Sequence, residues 1–505
     1  MMTNRKMNGK RRLLYLQCVT HALLVIAFLV ACSPVSPNPV YITPFPQTPA
    51  AIVTETTEPT PIATRPVYEP GTLVEYTAQN GDTLPALAAH FNTTVQEILK
   101  ANPGLSIEIT TLTPGSKLLI PIYYKALWGN PFQILPDAYF ANGPLQSSFD
   151  TKAFVESHPG WLKNYSALAG NETRRGGDLI DYVARAYSIS PRLLLALVEY
   201  QAQGLSAATL PEELERYPLG YEDAFHQGLY LQLNWAANLL NNGYYSWRSG
   251  ELDTITRLDG SIEHPDPWQN AATVALQNYF AYLLNVEDYQ HAIYSDGFYK
   301  TYAQLFGDPW QNVPTVIPGD LQQPQLALPF ALGKTWAFTG GPHAAWGNGE
   351  PLAALDFAPP AVIGGCAPSD EYVVAVADGQ IVRSEPALVI LDLDGDGDER
   401  TGWVVLYLHL GTDEKIRPGM LVKTGDPIGH PSCEGGSATG THVHIARRYN
   451  GEWIPASGTL PFNLEGWEAA KGAKEYLGTL KKHGRTVEAC TCSDPASQIT
   501  AGKYN

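Results

Sequence analysis

Between Ser33 and about Pro70 the chain consists mostly of Pro, Thr, Ala and Val with few charges, as in Pro46-Gln47-Thr48-Pro49 and Glu58-Pro59-Thr60-Pro61. Such a segment has too little apolar surface to offset its ordering entropy, so it runs as an extended, polyproline-II-rich spacer. At ~3 Å per residue it reaches on the order of 100 Å. Folded structure must lie beyond it, and 505 residues leave room for three or four domains. The composition is 44% hydrophobic and 10% aromatic, enough for real cores, while 45 Gly, 40 Pro and only 16% charged residues favour turns over long exposed helices. A net charge of −17 repels polyanions, which excludes nucleic acid as a partner.

Ahead of the spacer, Arg5, Lys6, Lys10, Arg11 and Arg12 precede the apolar run Leu23–Val30. That run is too short to span a bilayer comfortably, and residues 1–31 have the layout of a secretory signal peptide. Leu29-Val30-Ala31-Cys32 resembles a bacterial lipobox. The resemblance implies cleavage before Cys32, lipidation of its thiol, and a chain anchored to the outer face of a bacterial membrane, in the cell envelope. Residues 32–72 are then linker. Export implies an oxidising compartment, where Cys366, Cys433, Cys490 and Cys492 have three possible disulfide connectivities. Cys366 and Cys433 fall in one domain and are the favoured pair, whereas a Cys-x-Cys pair bridges poorly, leaving Cys490 and Cys492 open.

Residues 73–122 read as strand, helix, helix, strand. Val74-Glu75-Tyr76-Thr77 alternates, Asn80-Gly81-Asp82 turns, and Thr83 caps a helix carrying Leu84, Leu87, Ala88 and Phe91 at helical spacing. Thr94 opens a second helix with Val95, Ile98 and Leu99 inward; Asn102-Pro103-Gly104 ends it and Pro114–Pro121 closes with a strand. The whole segment resembles the LysM module. That resemblance implies binding to the glycan backbone of peptidoglycan or chitin through the loops at Gly81, Asp82, Thr83 and Leu84 and after Asn102.

Residues 123–320 are predicted mostly helical, with amphipathic stretches at Asp178–Tyr187, Pro191–Gln203, Tyr230–Asn242 and Trp268–Leu284. Ile189–Gln201 faintly resembles the helix that delivers the catalytic Glu of goose-type lysozymes and lytic transglycosylases. Gln201 stands in the acid's place and cannot protonate a glycosidic oxygen, and Glu199 reads as a solvated helix residue. A degenerate lysozyme-like domain that handles glycan or acts as a spacer is expected, not a second enzyme.

Beyond Pro329 short β-type runs alternate with Gly and Pro, predicting an antiparallel β domain over residues 321–465: Tyr372–Ala377, Gln380–Ser384, Leu388–Leu391, Trp403–His409, Leu421-Val422 and Val443–Ala446. The chain is thus a multidomain α+β protein. On the last of these strands His442 and His444, two apart, point to one face and reach a common centre. His409 ends another strand. Gly340-Gly341-Pro342-His343 and Leu355-Asp356-Phe357 add an imidazole and a carboxylate. Two His and one Asp suit Zn²⁺ with its fourth position left to water, and two further His remain to act on that water.

Residues 325–465 look like the lysostaphin-type zinc endopeptidases, and more closely their β-lytic branch. The short His-x-Gly-x-Asp motif is absent; His343 and Asp356 are thirteen positions apart, in Gly-Gly-x-His and Leu-Asp-Phe surroundings. Carried over, His343, Asp356 and His444 are zinc ligands, and His409 and His442 are the catalytic pair, with the roles of base and oxyanion stabiliser not assigned between them. The activity implied is cleavage of peptide stems or cross-bridges of peptidoglycan. The alternative is a non-catalytic peptidoglycan-binding scaffold or an activator of another wall hydrolase. Asp392, Asp394, Asp396 and Asp398, with Gly397, resemble the first half of an EF-hand loop; Trp403 stands at the twelfth position instead of Glu, leaving a solvated turn or a loose Ca²⁺ site. Residues 466–505 form a tail with a short helix expected over Trp467–Leu480.

Overall fold

The computed structural model describes residues 65–126, 128–411, 416–492 and 494–502. The expected signal segment, Cys32 and the expected linker through residue 64 lie outside the described residues. The small N-terminal module pairs β1 (Thr72–Thr77) with β2 (Lys117–Ile122), Val74 facing Ile120, around α1 (Leu84–His90) and α2 (Val95–Ala101). Thr83 Oγ1 accepts the Ala86 N–H, and Thr94 and Glu97 cap α2 reciprocally. Alternation along β1 turns Val74 and Tyr76 to the face on which Leu87, Phe91 and Ile98 pack.

The middle region is helical, as its periodicity predicts: α3 (Gly176–Tyr187), α4 (Pro191–Ala202), α5 (Leu229–Ser249) and α6 (Ala271–Leu283) are its longest helices. Leu193 to Val198 are all buried, so α4 is apolar all round and forms the centre of this core.

The C-terminal region holds an 11-stranded sheet whose strands pair antiparallel. Its strands include β3 (Thr335–His343), β4 (Ala354–Ala358), β5 (Gly379–Glu385), β6 (Ala387–Asp392), β7 (Trp403–Gly411), β8 (Leu421–Val422) and β9 (Val443–Tyr449). From one edge the order is β8, β5, β6, β7, β9, β4, β3. The apolar runs in β6 and β7 do not alternate with polar residues because both faces are covered. Leu388, Ile390, Val404 and Leu406 join the core of the helical region, while Val389, Leu391, Val405 and Tyr407 pack on the opposite side. Arg248, at the end of α5, ties all three regions together. It is buried, lies 3.4 Å from Asp137 and 3.2 Å from Glu452, and donates to the Asn80 carbonyl of the small module.

The expected helix over Trp467–Leu480 is not formed. Two antiparallel strands stand there, β10 (Trp467–Lys471) and β11 (Gly478–Lys482), and β12 (Gln498–Thr500) adds to the edge of the main sheet beside β3. Trp467 and Ala469 are buried with Glu468 exposed between them, a period of two that pairing enforces over the helix propensity of Ala, Lys and Glu. Cys366 and Cys433 are disulfide-bonded as favoured, and Cys490 and Cys492, left open by the sequence, are also bonded, their Cα atoms 5.0 Å apart.

Candidate metal centre and its surroundings

Three adjacent strands bring His343, Asp356 and His444 together, with one ligand atom from each lying within 4.8 Å of the others. Asp356 on β4 stands directly opposite His444 on β9, and His343 ends β3. His343 Nε2 lies 3.0 Å from His444 Nδ1 and 3.3 Å from Asp356 Oδ1, and His444 Nδ1 lies 3.4 Å from the same oxygen. All three residues are buried.

The outer ring nitrogens fix the tautomers. His343 Nδ1 donates to the Gly341 carbonyl at 2.8 Å and His444 Nε2 to that of Ala345 at 3.2 Å, since a carbonyl only accepts. In the neutral rings both inner nitrogens therefore carry lone pairs, 3.0 Å apart, facing a buried carboxylate oxygen that no hydrogen bond satisfies. Three converging lone-pair donors without a hydrogen among them fit a bound cation, and two nitrogens with one oxygen fit zinc. Without a cation, protons on the inner nitrogens take its place: burial opposes ionisation of Asp356, but His343 and His444 in their charged, donating forms hold its carboxyl far below the usual range. Burial lowers His444, and it opposes the charged form of His343 too, where Asp356 outweighs it and leaves the ring raised.

His409 and His442 stand beside this group, ring centroids 4.5 Å apart. His409 sits in a bulge of β7 with φ of 62°, a left-handed conformation that swings its side chain out of the strand's alternation. Its Nδ1 donates to the Glu434 carbonyl at 2.7 Å, and His442 Nδ1 to that of Gly440 at 2.7 Å, so both present Nε2 inward. Burial and then the His442 ring push His409 down to about 4. The segment after His343 is pinned to α5: the Asn348 N–H donates to Asn238 Oδ1 and the Glu350 N–H to Asn242 Oδ1, each at 2.8 Å.

The five glycan candidates of the small module are placed differently. Asp82 accepts from the Tyr76 hydroxyl and the Gln79 N–H, each at 2.7 Å, and burial pushes its carboxyl up to about 6. Asn102 donates to the Ile98 and Leu119 carbonyls and accepts the Leu119 N–H. Thr83 caps α1, Leu84 is in the core, and Gly81 lies against Arg248. The segment 314–321 hydrogen-bonds both loops. Asn80 accepts the Val316 N–H at 2.8 Å, and the Thr110 and Thr111 hydroxyls donate to the carbonyls of Leu321 and Pro318 at 2.7 and 2.8 Å.

Of the four Asp residues in the acidic hairpin, Asp392, Asp394 and Asp396 gather within 4.8 Å. Asp398 turns away to Arg400 at 2.6 Å, and Asp392 accepts the Asp394 and Gly397 N–H groups. Gln201 is held by the Leu219 carbonyl and the Tyr279 hydroxyl. Glu199 is not free in solvent as expected: its carboxylate accepts the N–H groups of Leu205 and Ser206 just beyond the end of α4.

The sequence pattern of peptidase family M23 matches residues 364–455, that of the LysM domain residues 76–121, and that of the LasA N-terminal domain residues 133–320. The C-terminal region carries the M23 metallopeptidase pattern over residues 364–455. Protease LasA of Pseudomonas aeruginosa is similar to this chain at 25% identity over 319 residues, covering 59% of this chain and 72% of that protein. The β-lytic metalloendopeptidase of Achromobacter lyticus is similar at 28% identity, covering 30% and 39%. Among solved structures, the M23 metalloprotease pseudoalterin is similar at 23% identity and a TM-score of 0.28, covering 33% of this chain and 96% of that one. His409, His442 and His444 lie inside the M23 match, and the β3–β4–β9 ladder brings His343 and Asp356 to them from outside it.

One residue beside the His343 ring was not foreseen from the sequence. Tyr476, in the turn between β10 and β11, stacks on the His343 ring at 4.2 Å and 20°. Its carbonyl accepts the Gly341 N–H at 2.8 Å. Helix-forming neighbours conceal it, because only strand pairing of the tail carries its turn over β3. Gly466, Gly472, Gly478 and Gly484 were the available signal for a β meander.

Proposed function

We propose that this chain is a zinc-dependent endopeptidase that cleaves peptide stems or cross-bridges of bacterial peptidoglycan. The observation that carries the reading is the buried, unsatisfied Asp356 Oδ1 facing the lone-pair sides of His343 Nε2 and His444 Nδ1. His343, Asp356 and His444 would hold zinc, which when bound supplies a Lewis acid that polarises an amide carbonyl and acidifies water. Gly341 and Ala345 orient the two ligand rings through their carbonyls. His409 and His442 both offer an unprotonated Nε2, so either accepts a proton from attacking water. The ring that has taken it then donates to the oxyanion or to the leaving amine. Burial, with the neighbouring His442 ring, keeps the His409 ring neutral at neutral pH.

The LysM match supports a peptidoglycan substrate, as does the likeness to a β-lytic metalloendopeptidase and to LasA. An extracytoplasmic site of action fits these partners, and the lipobox-like sequence at Cys32 supports a lipid tether to the envelope. Among the described residues no helix is long and apolar enough to cross a membrane. The loose acidic hairpin at Asp392, Asp394 and Asp396 is the place for Ca²⁺ if the protein uses it. The test is mass spectrometry of material released from purified peptidoglycan, with and without a zinc chelator and with His444→Ala. New peptide termini that vanish in both controls establish the reaction and name its bond. Zinc bound with nothing released would sink the substrate assignment.

A further inference from the structure

The two histidines that are not metal-ligand candidates share a single backbone support. Ser432 lies between them: its N–H donates to the His409 carbonyl at 2.7 Å, its hydroxyl to the same oxygen at 3.0 Å, and its own carbonyl accepts the His442 N–H at 3.2 Å. The next residue is Cys433, and the one after it, Glu434, supplies the carbonyl that orients the His409 ring. Across the disulfide, Cys366 follows Gly365, whose carbonyl accepts the Thr441 N–H at 3.1 Å, one residue before His442. The Thr441 hydroxyl also donates to the Ala367 carbonyl.

These contacts close a circuit from His409 through Ser432, His442, Thr441 and Gly365 to the disulfide and back through Glu434. The ladder holds the neighbours Leu408 and Leu410 on both sides, but His409 itself, the extra residue of the bulge, has no cross-strand partner in β6. His409 occupies a left-handed bulge, uncommon for a non-glycine residue although His is among those that adopt it most readily, so its neighbours must fix where the ring points. The loops on either side are rich in Gly, with Gly364, Gly365, Gly435, Gly436 and Gly440. Chain of that kind does not hold a ring to the sub-ångström tolerance that proton transfer demands.

We propose that the Cys366–Cys433 disulfide, acting through Ser432 and Glu434, is a clamp that positions His409 and His442, so that catalytic competence of the site depends on the oxidised bond while metal binding does not. This rests on the peptidase reading above. The separation follows from topology: His343, Asp356 and His444 are held by the β3–β4–β9 ladder, in which neither cysteine lies.

The experiment uses the full chain loaded with zinc, before and after reduction by a phosphine. The two sulfurs leave as thiols, and the phosphine takes up oxygen from water to become its oxide. The Cys490→Ala/Cys492→Ala variant is treated alongside so that only one bond is in question, and Cys366→Ala/Cys433→Ala provides the unreduced counterpart. Expected is a fall in kcat of about tenfold to a hundredfold, with KM and zinc content within about twofold. ¹⁵N NMR should show the His409 ring losing its single Nδ1–H tautomer. Unchanged kcat, or zinc lost in step with activity, would overturn the clamp. If the oxidised chain releases nothing from peptidoglycan, the peptidase reading fails separately. The clamp is then judged by the tautomer alone: retention of Nδ1–H after reduction refutes it, and loss upholds it.

Discussion

The LysM loops and the candidate metal centre both assemble conspicuous polar residues, yet they treat their polar atoms in opposite ways. At Asp82, Thr83 and Asn102 the side-chain oxygens and the Asn102 amide bond back to the fold. At His343, Asp356 and His444 the fold satisfies only the outer atoms, and the inner ones converge on each other without a hydrogen between them. A buried polar atom left unsatisfied costs ~1–3 kcal/mol, so Asp356 Oδ1, unsatisfied beside two ring nitrogens, fits a site that a bound group completes. On the proposed reading, the contrast is between motif residues bonded into their own domain and residues left open to a bound group.

The largest effect should follow from removing an inner atom. His444→Ala or Asp356→Ala is expected to abolish stoichiometric zinc, read by atomic absorption, and to cut peptide release about a thousandfold or more. Retained zinc in both variants would place the metal elsewhere. Next comes His409→Ala, expected to keep its zinc and lose roughly 10²- to 10⁴-fold in kcat, the usual reach of a positioned acid–base group. Zinc loss in that variant would make His409 a ligand and redraw the site.

How much of this was legible beforehand follows the same division. The proximity of His442 and His444 was readable because a period of two is intrinsic to extended chain, although β9 begins only at Val443 and His442 stands just before it. The capped helices of the LysM module were readable because Thr83 and Thr94 act locally. His343 and Asp356 were noticed as a further imidazole and carboxylate, but only family likeness assigned them as ligands. Nothing local says that thirteen intervening residues fold back so that β3 and β4 pair. Tyr476 and the tail strands were missed because their state is decided by partners far away in the sequence. The LysM candidates were readable as residues but not as contacts, since Arg248 and segment 314–321, which meet their loops, come from distant chain.

A buried histidine outside the site gives the next test. His90 stacks on Trp247 of α5 at 3.5 Å and donates to the Trp247 carbonyl at 2.9 Å, and burial holds it down to about 3. The unfolded ring titrates near ~6.5. Between those values the unfolded chain binds a proton that the folded one refuses, so stability is fullest above the upper value and declines as pH falls. The slope is ~1.4 kcal/mol per pH unit at most. Melting temperatures from pH 7 to 4 should drop more steeply for the native chain than for His90→Phe, which keeps the stack without the proton. Parallel curves would mean that the LysM module is not held against α5 in solution.

The smallest effect is expected at Asn102, and it bears most directly on the comparison. Asn102→Ala removes two donated bonds and one accepted bond that join the end of α2 to β2. It leaves the Leu119 N–H and carbonyl to find water, at a cost of ~1–3 kcal/mol read as a lowered denaturation midpoint. If Asn102 acts only on the fold, binding of chitin oligomers or peptidoglycan well below the midpoint stays at the native level. A variant that melts like the native chain but binds glycan more weakly would reverse that assignment. It would put Asn102 in contact with sugar and show that a motif residue can be fully bonded within its own domain and still belong to the site.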